Sequence, residues 1–92
     1  MDIWLVCYDV ACDKRRNRLS SWLLRFGMRV QESVFEVSVK DTSHFNKLWR
    51  GVQEKISAAD SVRAYPIHLQ AITGVRCLGG PAPVASSYAT VL

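Results

Sequence analysis

The stretch "IWLVCY", residues 3–8, constrains this chain more than any other: an unbroken apolar run, rich in strand formers, closed by an acid, Asp9. A half-exposed strand alternates apolar and polar side chains, whereas an uninterrupted run calls for cover on both faces of its sheet. The segment therefore belongs inside a sheet, and something must lie on each side of it.

The rest of the chain offers limited cover. Leu19, Trp22, Leu23 and Phe26 recur at helical spacing, with Asp13 expected as the N-cap and Gly27 as the stop. "MRVQESVFEVSV" (28–39) is extended, with Phe35, Val37 and Val39 on one face and Val34, Glu36 and Ser38 on the other. Its length suits two strands, and Gln31 to Ser33 is the best place for a reversal. Phe45, Leu48, Trp49, Val52 and Ile56 mark a second amphipathic helix opened by Asp41, Thr42 or Ser43. Inside it, Gly51 looks like a loss of roughly 1 kcal/mol relative to alanine. "SVRAYPIHL" (61–69) is a strand that Pro66 confines to a sheet edge, and "AITGVRCL" (71–78) is expected to be one more. From Gly79 the sequence "GGPAPVASSYATVL" changes to small residues and prolines, so the expected division is a domain over 1–78 and a tail over 79–92.

The order β-α-β-β-α-β specifies an α+β ferredoxin-like sandwich, one antiparallel sheet with both helices on one face, here extended by a C-terminal strand. Two helices leave the second face bare. A 92-residue chain buries only roughly 60–65% of its unfolded surface, so association relieves the shortage. The economical cover is a second copy packed sheet to sheet across a two-fold axis, with Tyr8 filling that interface.

Charge points to the partner class. Twelve Lys and Arg against eight Asp and Glu leave a net +4, and the excess is concentrated. Residues 13–29 hold Lys14, Arg15, Arg16, Arg18, Arg25 and Arg29 against a single acid, Asp13. Such a segment favours anionic partners. On the helix, Lys14 and Arg25 fall on the far side, Arg15 beside the apolar stripe, and Arg16 and Arg18 on its flanks. Cys7, Cys12 and Cys77 show no CxxC spacing, and neither His44 nor His68 completes a zinc pattern with them. Reduced thiols and a cytoplasmic location are expected. "MDIWLVCYDVAC" lacks the features of an export signal, and no apolar run approaches a membrane span.

Asp9 admits two readings. An acid at a strand end followed by arginines is commonly a salt bridge or turn residue. Alternatively, Mg²⁺ takes one or two carboxylates and keeps its waters, so a dimer that pools two Asp9 side chains builds a site that one chain lacks. Such a metal activates water against a phosphodiester while neighbouring arginines hold the phosphate. Neither histidine, no Gly-rich loop and no nucleophile–base–acid triad competes with it.

Four segments in order, "YDV", "DKRRNRL", "FGMRVQESVFEV" and "DSVRAYPI", resemble the second CRISPR-associated protein family (Cas-two), the small partner of the CRISPR integrase. The resemblance runs from about Ile3 to Leu69, and "RVQ-x-SVFE" is its most specific element. It implies a ferredoxin-like homodimer in which Asp9 binds a divalent metal between protomers, one Mg²⁺ or Mn²⁺ per dimer. It also implies that Tyr8, Ser33 and Phe35 belong to the catalytic neighbourhood, and that Arg16, Arg18 and Arg29 bind nucleic acid. Lys14 and Arg15 are assigned to general phosphate contact.

Two functions follow from the resemblance. In one, the dimer binds duplex DNA and bridges integrase subunits during spacer acquisition. In the other, its main activity is metal-dependent endonuclease cleavage of single-stranded RNA or duplex DNA. A small-molecule regulatory domain on the same fold is a third reading, but the basic first helix argues against it.

Overall fold

The computed structural model describes residues 1–83 and follows the order β1 (Asp2–Asp9), α1 (Asp13–Leu23), β2 (Gly27–Gln31), β3 (Val34–Val39), α2 (Thr42–Gln53), β4 (Ser61–Ile67) and α3 (Leu69–Ile72). The four strands form one sheet in the order β2-β3-β1-β4, every neighbouring pair antiparallel. This is the ferredoxin-like arrangement. The apolar run of β1 lies between two other strands, and β4, which carries Pro66, is an edge. The reversal falls at Glu32 and Ser33, between β2 and β3.

Strand alternation divides β1 between two faces. Val6 and Tyr8 join Phe35, Val37 and Val39 against Leu19, Leu23, Leu48 and Val52 of the two helices. Trp4, Trp22, Phe26, Phe45 and Trp49 pack around that core, with Trp4 and Phe45 stacked at 3.9 Å between centroids. Ile3, Leu5, Cys7 and Asp9 occupy the opposite face. There Leu5 pairs across to Glu36 and Tyr65, Cys7 to Val34 and Arg63, and Asp9 to Ser61. α1 and α2 cover one side of the sheet, and Tyr65 remains 46% exposed on the other.

Several local expectations are corrected. Cys12, not Asp13, occupies the N-cap position of α1, and Asp13 is the first helical residue. Gly27 does not stop α1, which ends at Leu23; it opens β2. A Cβ there would sit 1.9 Å from the Glu36 carbonyl oxygen, so glycine is required by a close backbone crossing. Gly51 is likewise no simple loss, because a Cβ would stand 2.2 Å from the Trp22 ring. Tyr8 points into the helix-side core, not into a bare sheet face. α2 is capped by Asp41, whose side chain accepts the His44 N–H at 2.9 Å.

Residues 71–78 form no strand. They complete α3 and continue irregularly, because one helical turn brings Ile72 against Ile3 and Ile67 on the sheet face away from the helices. An extended chain leaving the sheet edge would leave that side chain in water. Of the expected tail, residues 84–92 lie outside the described residues. No helix among the described residues is long and apolar enough to cross a membrane.

Candidate functional site

Asp9 ends β1 on the face away from the helices and is exposed. Neither Arg15 nor Arg16 pairs with it, so the salt-bridge reading loses the partners that the sequence offered. Among the described residues Asp9 makes no ion pair; the two that form are Arg15–Asp60 and Arg16–Asp13.

The strand end is held by its neighbours. The Tyr8 N–H donates to the Ser33 carbonyl at 3.1 Å, which ties β1 to the β2–β3 turn. Across the sheet, the Tyr8 hydroxyl shares a buried 2.7 Å hydrogen bond with Ser20 Oγ of α1. Ser20 in turn lies 3.0 Å from the Arg16 carbonyl. Phe35 is fully buried with its ring 6.2 Å from that of Tyr8. Tyr8, Ser33 and Phe35 are thus gathered around the end of β1, yet Tyr8 and Phe35 face the core. Their geometry suits positioning Asp9 rather than touching a substrate.

The cations separate into two sets. Arg15 binds Asp60 through Nε at 2.8 Å and Nη2 at 3.1 Å, a fork-to-fork pair joining the start of α1 to the start of β4. The Asp60 side chain is 2% exposed and also accepts the Ser57 N–H at 2.9 Å. Arg16 folds back on its own loop, donating to the Val10 carbonyl at 3.0 Å and pairing with Asp13. These two arginines shape the β1–α1 connection. Lys14, Arg18 and Arg29 are exposed, and none of them has an acidic partner among the described residues. Arg29 lies over the Phe35 ring at 5.3 Å. Sequence reasoning had no signal for Asp60, which stands 45 residues from Arg15.

Hydrogen bonding from Arg15, reinforced by the Ser57 N–H, holds the Asp60 carboxyl below the usual carboxylate range. At Cys12, the backbone N–H of Arg15 lowers the thiol below its ordinary value. A depressed carboxylate contributes stability that is present above its unfolded pKa and lost as pH falls through the folded one. We therefore expect wild type to lose melting temperature below about pH 4, where Asp60→Asn has no such carboxylate to protonate. Thermal scans from neutral to acid pH check this. The gap between the two proteins should narrow as the pH falls, and a constant gap would remove the linkage.

The residues present fit a metal only in one way. Among the described residues no group of three or more His, Cys, Asp or Glu side chains gathers within one chain. One exposed, unpaired carboxylate suits a hydrated hard cation that takes two carboxylates, provided a second copy supplies the other. The chemistry available is thus an exposed carboxylate at a strand end, its backbone in register with Ser61, at the same end of the sheet as a cationic helix start.

Fold and site together define a small ferredoxin-like α+β domain with an exposed carboxylate at the end of its first strand. The family model described as CRISPR associated protein Cas2 matches residues 1–73, and the chain belongs to that family. A CRISPR-associated endoribonuclease Cas2 of Synechocystis sp. is 40% identical over 84 residues, spanning 88% of each chain. The crystal structure of Streptococcus pyogenes Cas2 superimposes with a TM-score of 0.74 at 31% identity, covering 84% of this chain and 99% of that one. A chain of a partial Cas6-RT-Cas1–Cas2 complex gives a TM-score of 0.74 at 32% identity, covering 87% and 93%.

Proposed function

We propose that this protein is a CRISPR adaptation subunit, a homodimer that binds duplex DNA and bridges integrase subunits during spacer acquisition. The observation that carries it is the exposed, acid-free pair Lys14 and Arg18 on α1, one helical turn apart and close to the Asp9 end of the sheet. Such cations contact phosphates without reading sequence. The similarity to a chain of a complex that contains Cas1 supports the integrase partner. The dimer rests on the sheet face that carries Leu5, Cys7, Val34 and Tyr65, which α1 and α2 leave uncovered and α3 meets only at Ile3 and Ile67.

A second reading, metal-dependent endonuclease activity on RNA or DNA, is favoured by the exposed and unpaired Asp9 and by the endoribonuclease name of the Synechocystis relative. Two Asp9 carboxylates across the axis would hold Mg²⁺ or Mn²⁺, which supplies Lewis acidity and a nucleophilic water. The chain itself orients the carboxylate through the Tyr8–Ser20 bond and the Tyr8–Ser33 backbone bond, with Phe35 packed beneath. Lys14 and Arg18 hold the phosphate backbone.

Titrating a labelled DNA duplex over a salt series separates the two readings. Lys14→Glu with Arg18→Glu should weaken binding by about a hundredfold and lower the salt slope by about 1.8, two phosphate contacts. Asp9→Ala should leave that affinity within about twofold, because an exposed metal ligand adds little to backbone contact. Cleavage of RNA or duplex that needs Mg²⁺ or Mn²⁺, stops with chelator and vanishes in Asp9→Ala would move the main activity to the second reading. Unchanged affinity in the charge-reversed protein would sink the first.

A further inference from the structure

Beyond the start of α1, the described structure holds a second gathering of cations. Trp22 is half-buried, its Nε1–H donating to the Leu48 carbonyl at 2.9 Å, so the indole is fixed between the two helices. Two cations lie over this one ring: the Arg25 guanidinium at 5.0 Å and the Lys55 ammonium at 4.5 Å from its centre. Together with Asn17, Arg18 and Ser21 they line an open hollow between α1 and the end of α2. None of the three cations has a carboxylate partner among the described residues; Lys55 reaches only the Gly51 carbonyl, at 3.2 Å.

An aromatic face attracts a cation by roughly 0.5–1 kcal/mol at an exposed site, which does not neutralise two of them. Positive charges held close together without a counter-charge call for an anion, and Ser21 and Asn17 add neutral donors beside them. The placement along α1 narrows the choice. Lys14 and Arg18 stand one turn apart on α1, and Arg25 follows in the turn just beyond its end at Leu23; the helix from Lys14 to Leu23 alone spans about 14 Å at 1.5 Å per residue. A row of that length suits a linear polyanion, because one strand of a duplex presents a phosphate about every 3.4 Å of axis.

We propose that Trp22, Arg25 and Lys55 form a phosphodiester-binding site that extends the nucleic-acid path from the start of α1 to the end of α2. Trp22 acts as a positioning residue: it holds the two cations in place, and they make the phosphate contacts. The inference rests on the DNA-binding reading and adds two contacts to it.

The test uses the full chain, a short labelled DNA duplex and a salt series around 0.1 M. Arg25→Gln with Lys55→Gln should weaken binding about tenfold or more and lower the salt slope by about 1.8, while the charge-conserving pair Arg25→Lys with Lys55→Arg retains most of it. In ¹⁵N-labelled wild type the Trp22 indole N–H signal should shift on adding the duplex. Vesicles of phosphatidylserine should leave it in place. If wild type binds the duplex and Lys14→Glu with Arg18→Glu weakens it, but the Arg25 and Lys55 substitutions change neither slope nor affinity, the further site is overturned and the DNA-binding reading stands. Loss of binding in the charge-conserving pair as well as in the glutamine pair would assign the effect to structure and overturn the site. A Trp22 shift with vesicles alone would overturn it in favour of a lipid surface. Wild type that does not bind the duplex overturns both.

Discussion

Gly27→Ala should yield no cooperatively folded protein. The added Cβ would lie 1.9 Å from the Glu36 carbonyl oxygen, 2.6 Å from the Val37 Cα and 2.8 Å from the Glu36 carbonyl carbon. All three are backbone atoms of β3, so no rotamer change relieves the overlap. Relief requires β2 to leave β3, which gives up the pairing of Gly27 with Val37 and Met28 with Glu36. Gly51→Ala makes an instructive comparison. The three atoms nearest its added Cβ all belong to the Trp22 ring, at 2.2–2.5 Å, so that side chain must move and its bond to the Leu48 carbonyl is lost. That protein should fold with about 1–3 kcal/mol less stability. Urea unfolding followed by circular dichroism compares them, and a wild-type transition in Gly27→Ala would disprove the close crossing.

Phe35→Ala carries the next largest effect. The ring is fully buried in the helix-side core, and truncating such a phenylalanine costs about 3–5 kcal/mol. A domain of this size has only about 5–14 kcal/mol to lose, so the melting temperature should fall by at least roughly 12 °C. Phe35→Leu keeps an apolar side chain there and should lose about 1.5 kcal/mol or less. Nucleic-acid binding and any cleavage should survive in the leucine variant if Phe35 only supports the end of β1. A leucine variant that melts near wild type yet loses cleavage would show that the ring itself acts at the site.

Much of the fold was legible because burial is periodic. The unbroken run in β1 announced a strand inside the sheet, and it lies between β3 and β4; the spacing of Leu48 and Val52 announced the covered face of α2. Pro66 announced an edge, and β4 is one. The position of Asp9 at the strand end and the cationic start of α1 were equally visible, since both are local in the chain.

Local pattern misled where the partner was distant. Gly27 looked like the end of a helix because glycine commonly ends helices; what demands glycine there is Glu36, brought alongside only by the reversal into β3. Gly51 looked like a weakness because propensity scales assume open space around a helix, whereas Trp22 fills it. The segment after Leu69 has strand-like composition, but Ile72 gains more by one helical turn against Ile3.

The same division holds for the site. The amino-acid sequence by itself determined the sign of the charge, the carboxylate at the end of β1 and the β-α-β-β-α-β order up to Ile67, and hence two helices on one side of the sheet. Only the tertiary structure decided which cations are free: Arg15 is taken by Asp60 and Arg16 by its own loop, while Lys14 and Arg18 are left to solvent. Side-chain type and spacing encode a residue's tendency to be buried or charged. Which neighbour answers that tendency depends on where chain reversals bring remote segments, and those contacts form only when the whole sheet closes.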